Sequence, residues 1–133
     1  MTRILVVEDD ADVRALVILR LQQAGYRVQG AMDASDALGV IDAKGSPDLV
    51  VLDVNMPGLD GFGLLARLRK EIRSNLPAVF LSGRMQPEDI ALGRALGAKY
   101  LTKPLDTSAL LGAIDTLLTE EAEAKGESTP NEW

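Results

Sequence analysis

The stretch Asp48-Leu49-Val50-Val51-Leu52-Asp53-Val54-Asn55-Met56-Pro57-Gly58 decides the fold. Leu49 to Leu52 is uniformly apolar, which suits a central parallel strand covered on both faces. The run ends on a carboxylate, Asp53, and a Pro-Gly turn follows. One acid therefore stands at the carboxyl end of a buried strand, the edge at which open α/β sheets bind ligands. An earlier run, Ile4-Leu5-Val6-Val7, ends the same way on Glu8-Asp9-Asp10. If the two strands are neighbours, their ends make one acidic pocket.

Working outward, short apolar runs alternate with amphipathic segments. Val13, Leu16, Val17, Leu21 and Ala24 recur at helical spacing, with Asp10 or Asp12 placed to cap the helix and Gly25 to end it. Tyr26, Val28 and Gly30 alternate with Arg27 and Gln29, a half-polar pattern that places this strand at a sheet edge. Ser35 to Ala43 reads as a second helix, and Leu65, Leu68 and Ile72 mark a third, with Asp60 as a turn residue or cap. Pro77 to Leu81 is a fourth strand ending at Ser82-Gly83, and Pro87 to Leu96 a helix stopped by Gly97. Tyr100 and Leu101 form a short fifth strand that ends at Lys103-Pro104. Leu110, Leu111, Ile114, Leu117 and Leu118 make the last helical stripe. Five strands and five helices in strict alternation predict an α/β fold, a doubly wound parallel sheet with helices on both faces. From Glu120 the chain is acidic and loses its apolar stripe.

Composition bounds the chemistry. A length of 133 residues, 47% of them hydrophobic, gives one domain with a real core. The net charge of −6 and the lack of a basic block argue against a nucleic-acid surface within this chain. With no Cys and no His, thiolate and imidazole metal sites and Ser-His catalysis are excluded. No apolar run approaches the ~20 residues of a membrane span, so a soluble cytoplasmic protein is expected.

If Glu8, Asp9 and Asp53 converge, three carboxylates repel one another unless a cation joins them. An all-oxygen site with few protein ligands suits Mg²⁺, which keeps several waters and also binds phosphate. An Asp can act as nucleophile and become an aspartyl phosphate. Ser82 and Lys103 end two further strands at the same edge, where a hydroxyl and an ammonium could bind phosphoryl oxygens. Each residue alone has a bland reading, as a helix cap, turn hydroxyl or surface lysine; their joint placement on separate strand ends is harder to produce by capping.

Over about residues 3 to 120 the chain resembles the receiver domain of bacterial two-component response regulators. The matching motifs are Val6-Val7-Glu8-Asp9, Leu52-Asp53-Val54-Asn55-Met56-Pro57-Gly58-Leu59-Asp60-Gly61, Leu81-Ser82-Gly83 and Tyr100-Leu101-Thr102-Lys103-Pro104. The resemblance implies a flavodoxin-like (βα)5 fold with strand order 2-1-3-4-5. The loss of the apolar stripe sets residues 1–121 as the receiver and 122–133 as an acidic flexible tail or the start of a linker. The resemblance also implies Asp53 as phospho-acceptor, Asp9 as a direct Mg²⁺ ligand, Glu8 as holder of the metal's waters and Asn55 as a ligand through its backbone carbonyl. Ser82 and Lys103 would bind the phosphoryl group, and Tyr100 would be the aromatic switch that turns inward when Ser82 moves. The Lys103-Pro104 bond is commonly cis in the family.

The implied role is a signalling switch rather than an enzyme, with slow self-dephosphorylation. The phosphoryl group would come from a histidine kinase or histidine phosphotransfer protein. The readout would be the fourth helix, fifth strand and fifth helix, near residues 86 to 119, facing an output domain, a target protein or a second copy in a homodimer. No direct nucleic-acid or membrane contact is expected. The chain departs from the family pattern at Glu8, where Asp is commoner, and at Gly83, where Ala is more usual. Arg84 and Asn55 flank the presumed path of the hydrolytic water. A haloacid-dehalogenase-type phosphatase is one rival, but it wants a second Asp where this chain has Asn55, and it wants a cap insertion. A receiver-like module that is never phosphorylated is the other.

Overall fold

Strands that are apolar at every position need cover on both faces, and the helices supply it. The computed structural model describes residues 2–83 and 86–125. The elements alternate without exception: β1 (Arg3–Val7), α1 (Ala11–Gln23), β2 (Arg27–Ala31), α2 (Ala34–Lys44), β3 (Leu49–Asp53), α3 (Gly61–Glu71), β4 (Ala78–Ser82), α4 (Pro87–Ala95), β5 (Lys99–Thr102) and α5 (Thr107–Lys125). The five strands form one parallel sheet in the order β2-β1-β3-β4-β5. β3 lies at its centre and the half-polar β2 at one edge, as the patterns of the two strands predict.

Period-two alternation splits each apolar run between two cores. Leu49 and Val51 of β3 join Ile4 and Val6 of β1 in a core closed by Val17 and Leu21 of α1 and by Leu110, Ile114 and Leu117 of α5. Val50 and Leu52 join Leu5, Val7 and Phe80 on the other face, under Ala37 of α2 and Leu64, Leu65 and Leu68 of α3. All five residues of β3 and of β4 are buried. Burying a Leu or Val side chain is worth about 1.5–3 kcal/mol relative to exposure, so these two strands anchor the domain.

Helix ends follow their capping residues. Asp10, rather than Asp12, caps α1, accepting the N–H groups of Asp12 and Val13 at 2.9 and 3.0 Å. Asp60 caps α3 by accepting the Gly63 N–H at 2.8 Å. Gly25 follows α1 with φ +98°, a left-handed turn that glycine adopts without strain.

α5 continues to Lys125, four residues past the 121/122 boundary drawn from the apolar stripe. The stripe marks where packing stops, whereas Glu, Ala and Lys sustain the helix beyond it. The rest of the expected tail, 126–133, lies outside the described residues, as does Arg84. Among the described residues no helix is long and apolar enough to cross a membrane.

Candidate functional site

The parallel sheet brings the ends of β1, β3, β4 and β5 to one edge. Residues Val7 and Leu52 are register partners, so Glu8 and Asp53 each follow by one position on neighbouring strands. One oxygen each from Glu8, Asp9 and Asp53 lies within 4.8 Å of the others. Glu8 and Asp53 are 1% and 2% exposed, while Asp9 faces solvent. The acidic pocket expected from the two strand ends is therefore formed.

Backbone contacts fix the two buried carboxylates. Glu8 Oε2 accepts the Asp10 N–H at 3.1 Å, and Asp53 Oδ1 accepts the Asn55 N–H at 3.2 Å. The Lys103 ammonium reaches in from the end of β5, 2.8 Å from Glu8 Oε1 and 3.5 Å from Asp53 Oδ1. Oε1 is closed off from bulk water, and the ammonium compensates its charge without an aligned hydrogen bond. That oxygen keeps acceptor capacity in a site otherwise saturated with negative charge.

Among the described residues one cation, Lys103, faces three carboxylates. Burial, then the hydrogen bond with Asp9, then the charge of Glu8 push Asp53 from its ordinary value of 3.8 up to about 7, against the pull of Lys103. Asp9 moves the other way: its hydrogen bond with Asp53 holds it below the usual carboxylate range. Burial pulls the Lys103 ammonium down, but Glu8 and Asp53 outweigh it and hold the group above its ordinary value.

The donor set fits a hard divalent cation: all oxygen, no soft ligand, two buried carboxylates and one open to water.

Ser82 is the last residue of β4 and fully buried, and its carbonyl accepts the Lys103 N–H at 2.7 Å. That bond ties together the strand ends that carry the hydroxyl and the ammonium. The peptide bond from Lys103 to Pro104 is cis. The Tyr100 ring stands 6.4 Å from that of Phe80, centroid to centroid, and packs over Gly93 of α4, where a Cβ would come within 3.3 Å of Tyr100 Cδ2. The Asn55 side chain is exposed beside the pocket.

Two supporting residues receive no role in the sequence reading. Arg14 of α1 donates to the Glu8 carbonyl at 2.8 Å and pins the β1–α1 turn. Gly61 begins α3 against the Asp53 backbone: a Cβ there would collide with the Asp53 carbonyl oxygen and stand 3.1 Å from Val54 Cα. The second was signalled by the Asp60-Gly61 pair, since a cap followed by Gly marks a close approach; a lone Arg in an amphipathic helix carries no comparable signal.

Residues 4–115 match the family described as the response regulator receiver domain, and the chain belongs to that family. It is 38% identical over 126 residues to the transcriptional regulatory protein CseB of Streptomyces avermitilis, a match that covers 94% of this chain and 52% of that one. The chain spans about half the length of the curated relatives it matches. Its structure resembles the chemotaxis protein CheY4 of Vibrio cholerae, with 31% identity, a TM-score of 0.79 and coverage of 88% of this chain and 98% of that one. A receiver domain protein from Clostridium thermocellum aligns with a TM-score of 0.84 at 25% identity, over 93% of this chain and 99% of that one. The chain is thus a phospho-accepting switch module of two-component signalling, a system in which response regulators take phosphate from histidine kinases and act through output domains.

Proposed function

We propose that Asp53 is the phospho-acceptor and that the phosphoryl group reaches it from the phosphohistidine of a kinase or phosphotransfer protein. The observation that carries this reading is the convergence of Glu8, Asp9 and Asp53 within 4.8 Å under one lysine. Asp53 must be ionised to attack. Asp9, Asp53 and the Asn55 carbonyl would hold Mg²⁺, with Glu8 beside it, and the bound ion would supply charge neutralisation that favours the carboxylate. An Asp53 oxygen forms a bond to phosphorus as the phosphorus–nitrogen bond breaks, and the electron pair leaves with the imidazole. Lys103 pairs with one phosphoryl oxygen, and the Ser82 hydroxyl donates to another. The new group adds about −1 to −2 charge at the strand ends. It biases a two-state equilibrium by the contacts that Ser82 and Lys103 make in only one of the states. Tyr100, packed between β5 and α4, carries the change to the face formed by α4, β5 and α5.

That face then controls an output domain, a target protein or a second copy of the chain. The acidic chain itself makes no direct contact with nucleic acid or membrane on this reading, and it works in the cytoplasm. Control of transcription, as the name of the Streptomyces relative suggests, would run through an output domain or partner. The aspartyl phosphate is lost slowly by self-hydrolysis. Incubation with acetyl phosphate followed by rapid quenching and intact mass tests the reading. We expect one added phosphoryl group with Mg²⁺, none with EDTA, and none in Asp53→Asn under either condition. Equal labelling of wild type and Asp53→Asn would refute it.

A further inference from the structure

A second polar feature lies at the end of the sheet opposite Asp53. There the starts of β1 and β2, the last turn of α2 and residues 45–47 enclose a cavity of about 200 Å³. Val40, Ile41 and Pro47 give it an apolar wall. Among the described residues its charged lining is Arg3, Arg27 and Lys44, with no Asp or Glu. In a chain of net charge −6, an all-cationic lining runs against the average composition.

The register sets two of these exposed cations side by side. Arg3 and Arg27 are partners on adjacent parallel strands, so their side chains leave the same face of the sheet. Strands lie about 4.8 Å apart, and like charges placed side by side repel. Among the described residues, no ion pair or side-chain hydrogen bond relieves Arg3, Arg27 or Lys44. Asp48, the acid bonded to this end of β1, has its Oδ2 on the Arg3 backbone N–H at 2.8 Å and does not line the cavity. Gly45 leaves room for the guanidinium: with φ +99°, it lies where a Cβ would sit 3.4 Å from Arg3 Nη1.

We propose that this cavity binds a small amphipathic oxyanion, a phosphate or carboxylate carried on a compact apolar body. The anionic head sits between the Arg3 and Arg27 guanidinium groups, whose planar forks match both oxyanions, with Lys44 beside them. The apolar body rests on Val40, Ile41 and Pro47. The volume sets the size class: it holds a single ring or short chain and falls below the roughly 300–1,000 Å³ of pockets for larger ligands. The site stands a full strand away from Glu8, so its occupancy can be read independently of Asp53 chemistry.

The test is a series of ¹⁵N–¹H correlation spectra of the whole chain in EDTA at low ionic strength. The titrants are phenyl phosphate, benzoate, inorganic phosphate and benzyl alcohol. Phenyl phosphate and benzoate should shift the amides of residues 27–29 and 40–46 saturably, leaving residues 8, 9 and 53 in place. Tighter binding of the first identifies a phosphate head, and of the second a carboxylate head. Arg3→Gln and Arg27→Gln should each weaken binding at least about fivefold, the loss expected for one charge-assisted contact at a partly exposed site, and Arg27→Lys should weaken it less. Absence of saturable shifts, equal binding by wild type and Arg27→Gln, or inorganic phosphate or benzyl alcohol binding as tightly as phenyl phosphate would each overturn the proposal.

Discussion

Replacing Asp53 by Asn should stabilise the metal-free protein, and the structure sets the size of the gain. The Asp53 carboxyl is 2% exposed and faces Glu8 and Asp9; among the described residues the opposing cation is Lys103, at 3.5 Å. Its value rises from 3.8 to about 7 on folding. Between those limits the folded protein holds a proton that the unfolded chain has released. The stability linked to this group is therefore fully present below pH 3.8 and is lost as pH rises through about 7. At about 1.4 kcal/mol per pKa unit, the displacement sets a ceiling of about 4 kcal/mol above pH 7. Asp9 lies at the surface, where water and salt screen it, and the side chains can relax, so a net cost of about 1–3 kcal/mol is the working figure. Asn keeps the shape and removes the charge. Urea titrations followed by far-ultraviolet circular dichroism in EDTA should show Asp53→Asn more stable than wild type by that amount at pH 8, with the gain shrinking toward pH 4. Mg²⁺ should narrow or reverse the difference, since a ligand at a hundred times its Kd adds about 2.7 kcal/mol to the form that binds it. A variant no more stable than wild type at pH 8 without metal, or a gain that grows toward acid, would refute the electrostatic account.

Other perturbations probe the supports of the site. Lys103→Gln leaves the buried Glu8 without a counter-charge and should cost about 2–3 kcal/mol in urea titrations, below the fully buried range because the Lys103 side chain is 25% exposed; phosphoryl transfer from acetyl phosphate should also slow in a quenched time course. Gly61→Ala forces a Cβ into the Asp53 backbone and should lower stability by about 1–3 kcal/mol, with displaced amide signals at residues 53 to 55. Arg69→Met removes the guanidinium that caps the carbonyls of Leu76 and Leu96, and leaving such acceptors unpaired should cost about 2–4 kcal/mol by the same denaturation assay. Asp9→Asn should weaken Mg²⁺ binding by about tenfold or more in calorimetric titration, because one of three convergent carboxylates is neutralised.

The fold was legible because its signals are local. The unbroken apolar run Leu49–Leu52 suits a strand with cover on both faces, and the half-polar pattern of β2 suits an edge; both strands lie there. The pocket was legible because a parallel sheet sends every strand's carboxyl end to one side, so that Glu8, Asp53, Ser82 and Lys103 had to converge once the order was known. What the chain hid is held by long side chains. Arg69 reaches from α3 to the carbonyls of Leu76 and Leu96, and Arg73 joins Glu121 of α5 to the Asp48 carbonyl. Neither has a periodic or spaced signature, because a guanidinium bridges elements far apart in sequence. The length of α5 was hidden for a different reason: apolar spacing reports packing, whereas Glu and Ala extend a helix by propensity without an apolar stripe.

The central claim is the identity of the phospho-acceptor, and chemical trapping tests it most directly. Borohydride reduces an acyl phosphate to an alcohol, so acetyl phosphate treatment with Mg²⁺ followed by reduction should convert Asp53 to homoserine in the peptide spanning β3. The account predicts that conversion at residue 53 alone, abolished by EDTA. Conversion at Asp9 or at any other carboxylate, with residue 53 unchanged, would contradict it.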